Sequence, residues 1–160
     1  MKFYPNWGSH LPILIKIVQM TGGPILELGI GIFSTPLLHW LCFESKRELI
    51  SYDHSEVYFD RFRHFKNKYH HLFFVEDWDK AEIERSWDVV LVDHNDERRR
   101  HEVKRLANWG KYIIVHDTDF KDDPHYRFSE IFPLFKYRYD YKETTPQTSV
   151  LSNFVDLRNL

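Results

Sequence analysis

The chain has 160 residues, of which 42% are hydrophobic and 29% charged, a balance suited to one folding domain and unlike that of a disordered chain. Lys and Arg total 22 against 24 Asp and Glu, so there is no overall basic footprint for nucleic acid. Cys42 is the single cysteine, which excludes an intrachain disulfide and gives secretion no support.

The first apolar stretch, Leu11 to Met20, is broken by Pro12 and Lys16, is too short to span a bilayer and lacks a signal peptide's cleavage region. It predicts a helix from about Leu11, capped by Ser9 and stopped by Gly22-Gly23. Pro24 to Leu28 is a short apolar run before Gly29 and Gly31, suited to a buried strand. Ser34-Thr35-Pro36 opens the next helix, with Leu37, Leu38, Trp40 and Leu41 as its buried side. Glu48 to Tyr52 is a second strand ending at Asp53, and Ser55 caps a helix through Val57, Tyr58, Phe62 and Phe65.

His71 to Val75 is a third strand, followed by a short helix from Trp78 to Arg85. Trp87 to Val92 is the clearest strand and ends at Asp93. Glu97 to Asn108 reads as a surface helix with Val103, Leu106 and Ala107 inward. Lys111 to Val115 is a fifth strand, ending at His116 and Asp117. Phe128 to Phe135 reads as helical until Pro133. Tyr137 to Glu143 and Ser149 to Leu157 are two strands joined around Pro146, close enough to be antiparallel partners. The alternating Tyr137, Tyr139 and Tyr141 mark one aromatic face, for core or for a dimer.

Repeated strand–helix alternation without repeats or linkers predicts one α/β domain over 1–160, with residues 1–23 as an N-terminal capping region. Its sheet is doubly wound and mostly parallel, with helices on both faces and an antiparallel edge hairpin. In such sheets ligands bind beyond the carboxyl ends of the strands. Acids and glycines collect at that rim: Glu27, Gly29 and Gly31, then Asp53, Glu76-Asp77 and Asp93. Glycines admit a close ligand and a sharp turn. An acid ending the second strand can accept from two ribose hydroxyls, and one after the third can accept from an adenine amine. The bland alternatives are a tight turn for the glycines and a helix-dipole partner for Asp53.

Glu27-Leu-Gly29-Ile-Gly31, Asp53, Asp77 and Val89-Val-Leu-Val-Asp93 resemble the motifs of class I S-adenosylmethionine-dependent methyltransferases, over nearly the whole chain. The resemblance implies strand order 3-2-1-4-5-7-6. It implies S-adenosyl-L-methionine as cofactor, held by Gly29 and Gly31 at methionine, Asp53 at ribose and Asp77 at adenine, with Glu27 ordering the loop or reaching the methionine amine. The family's third glycine is Phe33 here, which leaves Ser34 and Thr35 to contribute polar groups. Phe33 also counts against a nicotinamide-dinucleotide loop. The chain is short for the family and carries no inserted substrate-recognition subdomain.

Asp93-His94-Asn95-Asp96 and His116-Asp117-Thr118-Asp119 follow the fourth and fifth strands and should face the acceptor. Asp93, His116 and Asp117 are the candidate catalytic residues, with His116 favoured over His94 as base. The alternative is a divalent cation on Asp93 and Asp117, resembling metal-dependent O-methyltransferases, with Asp119 as a further acid. No metal is the favoured reading. The basic run Arg98-Arg99-Arg100, Lys104 and Arg105 reads as a solvated helix face, the alternative being an anion site. Trp7 to His10 either folds over the pocket or anchors the sheet edge. The expected function is methyl transfer to oxygen or nitrogen of a small molecule, in the cytoplasm, without a membrane or nucleic-acid partner and with a homo-oligomer left open. The alternatives are a non-methylating binder of the same cofactor and a nucleotide-binding oxidoreductase fragment.

Overall fold

A computed structural model describes residues 4–94 and 97–160. Asn95 and Asp96, expected beside the acceptor, lie outside the described residues. The strands are β1 (Ile25–Leu28), β2 (Leu49–Asp53), β3 (His70–Phe74), β4 (Trp87–Val92), β5 (Gly110–His116), β6 (Tyr137–Tyr141) and β7 (Thr148–Ser152). They form a seven-stranded sheet in the order β3-β2-β1-β4-β5-β7-β6. β7 runs antiparallel to both β5 and β6, and the remaining pairs are parallel. β1 and all but the second residue of β4 are buried, as their unbroken apolar runs require in a sheet covered on both faces.

The helices are α1 (Leu11–Gln19), α2 (Ser34–Ser45), α3 (Glu56–Phe62), α4 (Arg99–Leu106) and the single turn α5 (Asp123–Tyr126). Period-two alternation divides the core. Ile25, Leu49, Val89, Leu91 and Ile114 pack with α1 and α2 on one face. Leu26, Leu28, Val90, Val92 and Ile113 pack on the other with α4 and the segment after β5. Tyr137, Tyr139 and Tyr141 lie against the α1–α2 core, so their shared face is a packing face. Among the described residues no helix is long and apolar enough to cross a membrane.

Four local expectations are corrected. Ser9 does not cap α1; its hydroxyl lies 2.7 Å from His116 Nε2 and donates to the Pro146 carbonyl at 2.9 Å. Residues 78–85 hold only a 3-10 turn, Trp78–Lys80. Arg105 donates to the carbonyls of Trp78 and Ala81, and the Trp87 indole donates to that of Ile83, so side chains replace helical hydrogen bonds. Phe128–Glu130 and Phe132–Leu134 are separate 3-10 turns, because Pro133 has no N–H to continue a helix. In α2 the buried positions are Ser34, Thr35, Leu38, His39 and Cys42, while Trp40 is 59% exposed.

Polar side chains enter that core because partners await them. Glu27 is fully buried on β1. Its Oε1 accepts from the Thr35 hydroxyl at 2.9 Å and its Oε2 from Ser51 on β2 at 2.5 Å. Ser51 Oγ is 2.9 Å from His70 Nε2 on β3, and His70 Nδ1 is 3.1 Å from His39 Nδ1 on α2. Burial pushes the Glu27 carboxyl up to about 7 from its ordinary 4.5, against the hydroxyls of Ser51, Ser34 and Thr35, which hold it down.

Between those two pH values the folded chain binds a proton that the unfolded chain releases. Glu27 therefore lends stability below pH 4.5 that is lost as pH rises through 7. Unfolding of the wild type and of Glu27→Gln in urea at pH 5 and pH 8 should show their difference moving by roughly 2–3 kcal/mol toward the variant at the higher pH. Parallel pH profiles would refute a protonated Glu27.

Candidate functional site

The carboxyl ends of β1, β2, β4 and β5 open on a cavity of about 680 Å³. The loop after β1 forms one wall, and two backbone demands shape it. Gly29 has φ +107°, and a Cβ there would come within 2.4 Å of the His94 backbone nitrogen. Its glycine is required by the chain crossing from β4, before any ligand is considered. Gly31 donates its N–H to Thr35 Oγ1 at 2.9 Å, and the Thr35 O–H in turn donates to Glu27 Oε1. Glu27 and Thr35 thus brace the loop from behind and do not line the cavity, whereas Gly29, Gly31 and Ser34 do.

Asp53 ties this loop to the next. Its Oδ2 accepts from the Ile30 N–H at 2.7 Å and its Oδ1 from the Ser55 N–H at 2.6 Å. The residue is 5% exposed and still lines the cavity, and each oxygen keeps a second lone pair. Burial raises its carboxyl above the usual range, with the Ser55 and Ile30 amides acting against that rise. Asp77 is not on the cavity wall; its side chain accepts from the Asp79 N–H at the start of the 3-10 turn. His54 and Tyr58, which the sequence did not single out for a ligand role, occupy the β2–α3 side.

The opposite wall is charged. His116 Nδ1 lies 3.0 Å from Asp93 Oδ1. The Arg99 guanidinium reaches Asp93 Oδ1 at 3.2 Å and Asp117 Oδ2 at 2.9 Å, and donates to the carbonyls of His94 and His116. It also sits 4.5 Å over the Tyr126 ring. The cation shared by Asp93 and Asp117 in this structure is therefore Arg99. Burial alone would raise the Asp93 carboxyl, but His116 and Arg99 outweigh it and hold it well below the usual carboxylate range. Burial alone would lower His116, but Asp93 outweighs it and raises the imidazole above its ordinary value. His10, 1% exposed, is lowered to about 4 by burial.

His94 is also buried, stacked on Trp78 at 4.3 Å with Nε2 3.4 Å from Glu102. Asp119 accepts from the Gln147 N–H and Thr118 from Ser149, so both secure the β5–β7 connection. The basic run is a solvated face only in part: Lys104 is exposed and Arg100 half-buried. Arg99 is 3% exposed at the site, Arg105 clamps residues 78–84, and Arg98 pairs with Asp79. Asn6, Trp7 and His10 cover the cavity, and the Phe33 ring packs under Gly8, where a Cβ would meet it at 3.2 Å.

No family model matches the chain, and no curated protein matches it in sequence. Solved structures do match in shape. A methyltransferase of Podospora anserina with S-adenosylhomocysteine bound is 13% identical, with a TM-score of 0.68 over 92% of this chain and 78% of its own. An O-methyltransferase from Bacillus cereus, also in complex with S-adenosylhomocysteine, is 15% identical, with a TM-score of 0.63 over 94% and 83%. The methyltransferase domain of bacterial CtHen1-C is 13% identical, with a TM-score of 0.64 over 94% and 99%.

The chain has the class I methyltransferase fold. In this methyltransferase fold the cavity lies where β1 meets β4, the switch point at which strand order reverses. The two glycines of the first loop are not equivalent there. Gly29→Ala should cost roughly 3 kcal/mol of stability, from a strained φ plus a backbone clash. Gly31→Ala meets only Ser34 Oγ at 3.1 Å and should cost under about 1 kcal/mol. Denaturant melts of both variants check this, and equal losses would refute it.

Proposed function

We propose that the chain binds S-adenosyl-L-methionine at this rim and methylates an oxygen or nitrogen of a small-molecule acceptor. The observation that carries the reading is convergence. The braced Gly29–Gly31 loop, Asp53 and the Asp93–His116–Asp117 group all border one cavity in a methyltransferase fold. Its volume suits a cofactor of this size with a small acceptor beside it.

The residues present fit the cofactor. Asp53 keeps lone pairs on the cavity side for two ribose hydroxyls. Ser34 and the loop backbone take the methionine end, and Glu27 acts through Thr35 to hold that loop. His54 and Tyr58 take the adenine end in place of Asp77. When bound, the cofactor supplies a methyl group on a positively charged sulfur. Asp93 and Asp117 accept hydrogen bonds from the acceptor hydroxyl or amine and aim its lone pair along the line of transfer, which supplies much of the rate, and the proton the acceptor loses leaves along these hydrogen bonds to solvent. Arg99 and His116 fix both carboxylates in that role. In this reading residues 1–160 act as one catalytic unit in the cytoplasm, with Trp7 and His10 as its cover.

Calorimetry with S-adenosylhomocysteine tests the cofactor side. Asp53→Asn should weaken binding by about 10- to 100-fold, the loss expected for hydrogen bonds to a charged acceptor. Asp77→Asn should leave it unchanged, and NAD should not bind. Unaltered affinity in Asp53→Asn would remove ribose from this carboxylate. Incubating the chain and cofactor with a metabolite mixture should yield products heavier by one methyl group; binding without such products would favour a non-methylating binder.

A further inference from the structure

His10, Asp93 and His116 are the one group of three His, Cys, Asp or Glu among the described residues whose ligand atoms all lie within 4.8 Å of one another. Asp93 Oδ1 is 3.0 Å from His116 Nδ1, and Asp93 Oδ2 is 3.7 Å from His10 Nδ1. The two imidazoles meet edge to face, with centroids 4.7 Å apart. His10 lines the cavity at 1% exposure, and neither of its ring nitrogens has a hydrogen-bond partner. A buried polar group left in that state costs about 1–3 kcal/mol, which a ligand on it would recover.

His116 is oriented for such a role. Its Nε2 lies 2.7 Å from the Ser9 hydroxyl, which is also 2.9 Å from the Pro146 carbonyl, so the far nitrogen has an outer partner while Nδ1 faces Asp93. A proton on Nδ1 satisfies the His116–Asp93 pair but leaves His10 unmatched; a metal ion engages all three residues.

We propose that His10, Asp93 and His116 bind a divalent transition-metal ion through two imidazole nitrogens and one carboxylate. Two imidazoles select a borderline ion such as Zn²⁺ or Fe²⁺ over Mg²⁺ or Ca²⁺. Three protein ligands leave coordination open toward the cavity. Arg99 does not close the site. Its guanidinium engages Asp93 Oδ1, leaving Oδ2 toward His10, and Asp117 offsets its charge at 2.9 Å. The site shares Asp93 with the Asp93–Asp117 pair but takes its other two ligands from His10 and His116, and the ion's binding does not depend on methyl transfer. Its use there, holding an acceptor oxygen at an open position, rests on the function proposed above.

The metal-stripped full chain is titrated with Zn²⁺ by calorimetry and with Co²⁺ by visible absorption, and S-adenosylhomocysteine affinity is measured on the same preparation. One Zn²⁺ per chain should bind with a micromolar or lower Kd, and Co²⁺ should give absorption bands of nitrogen and oxygen ligation. His10→Ala and His10→Gln should each weaken Zn²⁺ binding at least tenfold, with melts in the absence of metal identifying the variant that stays folded. No saturable binding by the wild type overturns the proposal, as does equal affinity in a folded His10 variant, which would place the ion on other histidines. Failure of S-adenosylhomocysteine to bind would remove the methyl-transfer reading and leave the metal result standing.

Discussion

The rim depends on one buried carboxylate holding two loops at once. Asp53 ends β2 and accepts the Ile30 amide with one oxygen and the Ser55 amide with the other. Both amides belong to turns that leave the sheet, where no strand neighbour could satisfy them. An unmet amide buried there would cost about 1–3 kcal/mol, so the acid sets the loop geometry before any ligand arrives. Behind it, Glu27 and Thr35 reach the Gly31 amide by a second route. The first loop is thus fixed from two strands, and its residual polar capacity points into the cavity.

The far wall uses the opposite device. There two carboxylates, a guanidinium and an imidazole lie within hydrogen-bond reach of each other in a largely buried setting. Such a cluster survives only when each charge is matched, since a lone buried charge costs several kcal/mol. Arg99 is matched twice over by Asp93 and Asp117, with two backbone carbonyls and the Tyr126 ring filling its remaining directions. One wall is therefore mostly backbone gathered around the single carboxylate of Asp53, and the other carries several fixed charges. That asymmetry suits a bound nucleoside beside a reacting centre.

Strand positions were legible in the sequence because unbroken apolar runs such as Val89–Val92 and the acids at strand ends are local signals, whereas the strand order came from the family resemblance. What escaped reading was polar residues on inward helix faces. In α4, Arg99, Glu102, Val103 and Leu106 are all buried, and their spacing places them on one stripe. Val103 and Leu106 were legible as inward; continuing the same period back one turn would have placed Arg99 in the site instead of on a basic surface. In α2 the same spacing buries Thr35, Leu38, His39 and Cys42, and hydrophobicity alone chose Trp40 instead. The partners that make these burials affordable, Glu27 for Thr35 and His70 for His39, lie on other strands and carry no sequence-local mark. Asp77 shows the converse case: it follows β3 as expected, but it lies off the cavity wall and its Oδ1 accepts from the Asp79 amide of the local turn.

Phe33 links the loop to the cover. A glycine at that position would leave the helix entrance open, whereas the ring fills it and rests against Gly8, whose own lack of a side chain makes room. The segment above is then anchored at Ser9 from three directions. Its hydroxyl meets His116 and the Pro146 carbonyl, and its carbonyl accepts from Thr144. Trp7 and His10 are held beside the charged wall by the same contacts that orient His116. The cover and the charged wall are consequently one mechanical unit. A change at Ser9 would move the cavity roof and the His116–Asp93 pair together, whereas the Asp53 side, which shares none of these bonds, would be left in place.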